Sequence, residues 1–497
     1  MARSTESAGN CWIVGSPTPR CRESSGATSC GWRRRSGADA VHALEAIATW
    51  AAEVGDDHDD LAWSRARAGC IDTVACMVAG AHDPATETAR GAVARWGSGA
   101  AMTVGDVERR PAPWAALVNG TAADALDFDD YDVPAASHPS AVLLPALLAL
   151  GEERGASGRS ILDAYIVGLE VQMRLGEALN MSHFVKGFHP TATIGTLAAS
   201  VACAHLLGLD AGGTGNALSI ATSLAAGSKG QLGTTTVHLH TGLAAHNGVL
   251  AASLAEAGAT GSADALDGAS GTLRLLADDD APGFEVPLAK LGNPLAIVEY
   301  GLCVKPYPCC SYATSAIDGL LRLRGEHRLV ADDVVEVTAH LPAHNMEFLR
   351  FHDPADELEA RFSMEYCLSV ALVAGGVVVS DFTPEAIARD SIRVLSSRIR
   401  MEALPLAGGP CSERVVVKHV DGRTLETTVD HPRGSAGLPI SEADLLAKFD
   451  SCVEGVLGVP VAASLKQVLL DFDSLDDIGD LTALMASGFW ARPPPDV

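Results

Sequence analysis

The stretch DALDFDDYDVPAASHPS, residues 124–140, places five aspartates within nine positions and follows them with a His-Pro pair. Carboxylates at that density beside an imidazole could bind a cation, carry general acid–base chemistry, or end a helix. Known metal spacings fit poorly. A D-D-x-x-D magnesium motif needs its third acid one position beyond Asp132. An EF-hand loop opening at Asp127 would need Gly and Glu where Asp132 and His138 stand. An organic active site and a helix-end structure both stay open.

Four further stretches hold reactive side chains. In GFHPTATIGT, 187–196, His189 precedes a proline suited to the first helical position, so its ring would sit by free N–H groups. That position lowers a histidine's pKa and suits a neutral base or an anion contact; capping and packing are the alternatives. In TTTVHLHTGLAAHNG, 234–248, His238 and His240 would share one face if they lay on a strand, as a metal pair could. No H-E-x-x-H motif or suitably spaced carboxylate accompanies them or His246. In VKPYPCCSYATSAID, 304–318, Lys305 lies between apolar residues and prolines, a point charge for a carboxylate or an exposed linker residue. In EARFSMEYC, 359–367, Arg361 and Tyr366 precede an apolar helix, and core packing is the default for Tyr366.

The elements that must position these groups are mostly helical. Segments 40–54, 60–79, 113–126, 140–153, 158–178, 190–207, 213–226 and 241–257 show apolar recurrence at i, i+3 and i+4. Near residue 300 the pattern changes. DVVEVTAHL, 333–341, alternates with period two, and 414–429 reads as a hairpin around Asp421-Gly422. Helices fall between them, at about 312–324 and 362–374. From Ser441 a capping-box variant opens a return to helix. The expected fold is mainly α with an inserted α+β domain. Residues 38–300 and 439–497 form the helical domain, 301–438 form a smaller lid domain, and 1–37 are a disordered N-terminal extension.

Composition narrows the function. The chain has 497 residues, 47% hydrophobic and 20% charged, with aromatics at 5%, so small aliphatic side chains must build the core. A formal charge of −26 without a basic stripe argues against nucleic acid as a partner. No apolar run reaches the ~20 residues that span a bilayer, so no membrane role is expected. The twelve cysteines form no C-x-x-C pair, which speaks against zinc or iron–sulfur sites and for reduced thiols in the cytoplasm.

Taken together, seven blocks in order resemble the MmgE/PrpD family, which includes 2-methylcitrate dehydratases, cis-aconitate decarboxylases and iminodisuccinate epimerases. They are CIDTVACMVAG (70–80), VNGTAADALDFDD (118–130), SHPSAVLLPALLAL (137–150), GFHPTAT (187–193), LHTGLAAHNGVLAA (239–252), VKPYPCC (304–310) and RFSMEY (361–366). The resemblance implies a helical body with an α+β lid, a homodimer, no cofactor or metal, and a small di- or tricarboxylate substrate. It implies proton transfer next to a carboxylate, with 2-methylcitrate-dehydratase-like elimination as the first expectation and decarboxylation or epimerisation as alternatives. A metal-dependent helical enzyme and a non-catalytic family member are the readings from other classes.

Carried over by motif, the resemblance makes His138, supported by Asp127, the proton-exchanging group. His189 and Lys305 would meet substrate carboxylates, with His238, His240 and Cys310 in further contact, and Tyr366 would donate to the leaving group. Two departures stand out. Val237 occupies the lysine position of the family's T-K-x-L-H pattern, and Tyr131 replaces a usual threonine. Losing that lysine removes a bond worth roughly 1.5–3 kcal/mol. A substrate with fewer or differently placed carboxylates, or lost activity, is the expectation, with His238 or Lys229 as substitutes for the missing charge.

Overall fold

Small side chains let helices approach closely, and the sequence places them at the crossings. In this computed structural model, residues 42–179, 182–278, 281–404 and 412–487 are described; the extension expected over 1–37 lies outside them. Counting the helices longer than eight residues, the first part of the chain forms α1 (Ala43–Glu53), α2 (Asp60–Ala79), α3 (Pro84–Val93), α4 (Ala112–Asp124) and α5 (Pro139–Arg154). It continues with α6 (Gly158–Leu179), α7 (Pro190–Leu206), α8 (Ala211–Thr222) and α9 (Thr235–Glu256). The Asp59 side chain caps α2 by accepting from the Ala62 N–H. Both α5 and α7 open with a proline directly after a histidine, Pro139 after His138 and Pro190 after His189. That arrangement fixes where each imidazole enters its helix.

Helix α9 starts six residues before the apolar periodicity that predicted 241–257. The segment Thr235–His240 is mostly polar, so its helical turn carries little hydrophobic signal. One consequence corrects the strand expectation for His238 and His240. On a helix, residues two apart point to different sides, and these two histidines meet different partners. The approach of α9 to α4 depends on glycine: a Cβ on Gly242 would lie 2.2 Å from the Leu117 carbonyl oxygen. Backbone thus packs against backbone, and His238, one turn before Gly242, is brought beside the end of α4.

After residue 300 the chain builds α10 (Thr314–His327), β1 (Val334–Leu341), α11 (Met364–Ala374), β2 (Ile399–Ala403), β3 (Glu413–His419) and β4 (Thr424–Val429). The sheet order is β2-β1-β3-β4. β1 runs parallel to β2, with Val337 opposite Ile399, and antiparallel to β3, with Val337 opposite Val417. The β3–β4 hairpin turns at Asp421-Gly422, where Gly422 has φ +90°. β2 went unread in the sequence because Ile399 is its one buried residue and no alternation results. A separate core fills this region, from Tyr307 to Leu425.

The chain then forms α12 (Glu442–Leu457), capped by Ser441 through the Asp444 N–H, α13 (Val459–Leu470) and α14 (Gly479–Ser487). Leu445, Phe449, Leu465 and Met485 join the same core as α2 and α4–α6. The described residues are therefore mostly helical with one small four-stranded sheet. No helix among the described residues is long and apolar enough to cross a membrane.

Candidate active site

A cavity of about 810 Å³ lies where the helical body faces the segment leading into the sheet region. Its walls come from the 124–138 loop, the start of α7, the start of α9 and residues 305–312. The volume falls within the ~300–1,000 Å³ typical of small-ligand sites.

The loop after α4 turns on Asp127, whose φ of +49° is in the left-handed region that aspartate tolerates better than most residues. This turn separates the acids by role. Asp127 faces Lys305, with its Oδ1 2.5 Å from Nζ, and Lys305 also donates to the Asp127 carbonyl oxygen at 3.0 Å. Asp129, fully buried, places Oδ2 3.1 Å from His138 Nδ1 and Oδ1 3.8 Å from Lys305 Nζ. Asp130 accepts from the Ser140 hydroxyl, and Ser140 in turn meets the Tyr165 hydroxyl. Asp132 accepts from the Ser137 hydroxyl and the Ala135 N–H, closing the turn before His138. The acid beside His138 is thus Asp129, not Asp127 as the motif suggested.

His138 keeps 22% of its side chain exposed, toward the cavity, and its Nδ1 also meets the Asp130 carbonyl oxygen at 3.1 Å. Burial alone would lower its pKa, but the charge and hydrogen bond of Asp129 outweigh burial and raise it to about 9. His138 is therefore an imidazolium at neutral pH. His189 is in the opposite state. Burial, then the neighbouring His240, His138 and His238, hold its pKa well below the usual histidine value. Its Nδ1 lies 3.1 Å from His240 Nδ1, and His240 stands behind it, outside the cavity lining.

A second carboxylate–imidazole pair joins α4 to α9: Asp124 Oδ2 is 2.7 Å from His238 Nδ1. Burial opposes protonation of His238, but the Asp124 bond and charge prevail and raise its pKa. His238 Nε2 is buried without a hydrogen-bond partner among the described residues, and the ring lines the cavity. Sequence reasoning missed Asp124 as the partner of His238, 114 positions away, and Asp129 as that of His138, because nothing in a run of five aspartates singles out one acid.

Lys448 of α12 reaches the same loop from behind. Its Nζ donates to the carbonyl oxygens of Phe128 (2.6 Å) and Lys305 (3.1 Å) and lies 2.6 Å from Asp72 Oδ1. The ammonium thus makes two hydrogen bonds and one ion pair. A positive charge buried in this way is tolerable because it is paired and hydrogen-bonded.

Of the remaining expected residues, Cys310 lines the cavity and burial pushes its thiol pKa well up, so it is an uncharged wall. Arg361 is buried behind the site and donates to the Ala125 carbonyl oxygen at 3.0 Å. Tyr366 is elsewhere. Its hydroxyl donates to the Asp381 carbonyl oxygen, and the ring borders a different cavity with His352 and Arg393. The capping turn at Ser363 directs it there: Ser363 accepts from the Tyr366 N–H, which starts α11 facing its own core. The expectation that Tyr366 meets a leaving group beside His138 is corrected by this placement.

Asp124, Asp129 and His138 put potential ligand atoms within 4.8 Å of one another. A divalent ion there would compete with Lys305, whose ammonium already stands 3.8 Å from Asp129.

Comparison with known proteins matches two family models. One, described as the MmgE/PrpD N-terminal domain, covers residues 45–285, and the other, the MmgE/PrpD C-terminal domain, covers 307–473. The human protein described as cis-aconitate decarboxylase is 31% identical over 405 residues, 78% of this chain and 82% of its own. The mouse protein of the same description is 30% identical over 398 residues, 76% of this chain and 79% of its own. One from Aspergillus terreus is 26% identical over 469 residues, 88% of this chain and 95% of its own.

Proposed function

Because the chain belongs to the MmgE/PrpD family, we propose that it is a lyase of cis-aconitate-decarboxylase type, releasing CO₂ from a small unsaturated acid with more than one carboxylate. The observation that supports this most is the Asp129–His138 pair. A dehydratase must first remove a proton from carbon, which needs a neutral base. A decarboxylase must deliver one, which needs an acid, and His138 is held as an acid. The relatives described as decarboxylases agree with that direction. Elimination of the 2-methylcitrate type is therefore the weaker reading.

The proposed step begins with a substrate whose departing carboxylate is attached next to a carbon–carbon double bond. The C–C bond to that carboxylate breaks and CO₂ leaves. Its electron pair shifts through the double bond to the carbon bearing a second carboxylate. Charge then develops on that carboxylate as an enediolate, which Lys305 and a neutral His189 stabilise by donated hydrogen bonds. His138 delivers the proton from Nε2 to the carbon and later regains one from water. Asp129 keeps the ring charged and oriented through Nδ1. His238, oriented by Asp124, offers a second N–H to a substrate oxygen. No cofactor enters this scheme, and a homodimer is the proposed assembly.

The test is incubation of the purified protein with a panel of unsaturated di- and tricarboxylic acids in D₂O, cis-aconitate and 2-methylcitrate included. Release of CO₂ with one deuterium on the carbon next to a remaining carboxylate is expected. Dehydration of 2-methylcitrate without CO₂ release from any acid would refute the proposal.

A further inference from the structure

Three lysines line the cavity, and two of them already face carboxylates. Lys305 is matched by Asp127 at 2.5 Å, and Lys290 by Glu299 and Glu177 at 2.9 and 3.2 Å. Lys229 has no carboxylate within 4 Å among the described residues. Its Nζ lies 4.0 Å from the centroid of the Phe184 ring and 5.7 Å from that of Phe348, and the two rings stack 5.4 Å apart. Such a platform favours a cation without neutralising its charge. Two imidazoles of the cavity also face carboxylates, His138 Asp129 and His238 Asp124. Beside His238 the wall is the aliphatic Val237.

The backbone sets Lys229 next to the reacting groups. His189 donates its N–H to the Gly227 carbonyl oxygen at 3.1 Å, and Lys229 donates its N–H to that of Gly187 at 2.9 Å. Phe188 and Ser228 form the antiparallel bridge between these bonds. In such a ladder residues 189 and 229 leave one face as diagonal neighbours, about 7–8 Å apart. Both side chains therefore leave toward the same part of the cavity, where one carboxylate of a small acid can meet both.

We propose that Lys229 anchors the substrate carboxylate that is not expelled, and that the substrate carries two carboxylates rather than three. This rests on the lyase reading above. A third carboxylate would enter a chain of net charge −26 with Lys305 already given to the enediolate and Lys290, His138 and His238 facing carboxylates of the protein, and a desolvated anion without a partner is strongly disfavoured. The simplest acid that satisfies both the count and the chemistry is glutaconate, in which one carboxylate sits on the carbon next to the double bond and can leave, and the other sits on the double bond itself and can take up the displaced charge.

Calorimetric titration tests the anchor with glutarate, an unreactive dicarboxylate, and tricarballylate, an unreactive tricarboxylate, on the full chain, Lys229→Met and Lys229→Arg. Methionine keeps the packing between the phenylalanines and removes the charge. Glutarate affinity should fall about ten- to a hundredfold in Lys229→Met, the loss of one charge-assisted bond, and largely return in Lys229→Arg. Tricarballylate should bind no more tightly than glutarate. Equal glutarate affinity in Lys229→Met, no glutarate binding to the unaltered protein, or tighter tricarballylate binding would each overturn the proposal. Glutaconate turnover separates it from the lyase reading. Lys229-dependent glutarate binding without CO₂ release from glutaconate or any other acid of the panel would sink the lyase reading alone. Turnover with an unchanged KM in Lys229→Met would sink the anchor alone.

Discussion

Asp129 Oδ2 stands 3.1 Å from His138 Nδ1 at a carboxylate with no exposure to solvent. The pair decides both the charge of the ring and which nitrogen faces the cavity. A histidine beside a buried carboxylate stays protonated above its ordinary range, which is the state the proposed step requires.

If His138 acts as the acid, kcat/KM should hold across neutral pH and fall as pH rises through about 9, where the imidazolium loses its proton. Asp129→Asn removes the charge that raises the ring, so this falling limb should move down toward the ordinary histidine value of about 6.5. A pH–rate profile of both proteins checks the shift. Stability follows the same sign. The folded value lies above the unfolded one, so the pair's contribution is complete below about 6.5 and fades as pH approaches about 9.

Replacing His138 by Ala should lower turnover by about 10²–10⁴-fold, the usual scale for a positioned acid. Because Asp129 is buried and loses this partner, the melting temperature should fall as well, so turnover is compared at a temperature where both proteins remain folded. Retained turnover would take His138 out of the step.

Lys448→Met should destabilise the protein by about 3–5 kcal/mol, because Asp72 is left buried and unpaired. The double variant with Asp72→Asn should recover part of that loss. Urea unfolding of the two variants measures it, and an activity that stays low in the stabilised double variant would show that the tether to Phe128 and Lys305 orders the site.

Tyr366→Phe should leave kcat and KM unchanged and cost about 1 kcal/mol, the loss of a buried hydrogen bond to Asp381. A large fall in kcat would restore Tyr366 to the mechanism.

Treatment with EDTA, followed by metal analysis, should leave turnover intact. Activity restored only by an added divalent ion would point instead to the Asp124, Asp129 and His138 grouping as a ligand set.

Helical periodicity and turn chemistry made the long helices, the β3–β4 hairpin and β1 legible from sequence, and they also showed where the character of the chain changes. Motif blocks placed His138, His189 and Lys305 together, and these three do line one cavity. What could not be read is which acid serves which base. The left-handed backbone at Asp127 turns that carboxylate to Lys305 and leaves Asp129 for His138. Five aspartates in nine positions do not distinguish those outcomes. Nor could a polar helical turn at Thr235–His240 be told from an extended one, since its histidines face Asp124 and His189 rather than an apolar core. Tyr366 misled because a tyrosine after F-S reads the same whether its ring turns to the cavity or to its own helix's core.

The ammonium of Lys448 ties two carbonyls that are 177 positions apart in the chain, at Phe128 and Lys305, and it belongs to a helix that begins at residue 442. During synthesis, then, the loop bearing His138 lacks this tether while more than three hundred further residues leave the ribosome. Catalytic competence should switch on late and all at once, and fragments truncated before α12 should be silent however well their earlier helices have formed.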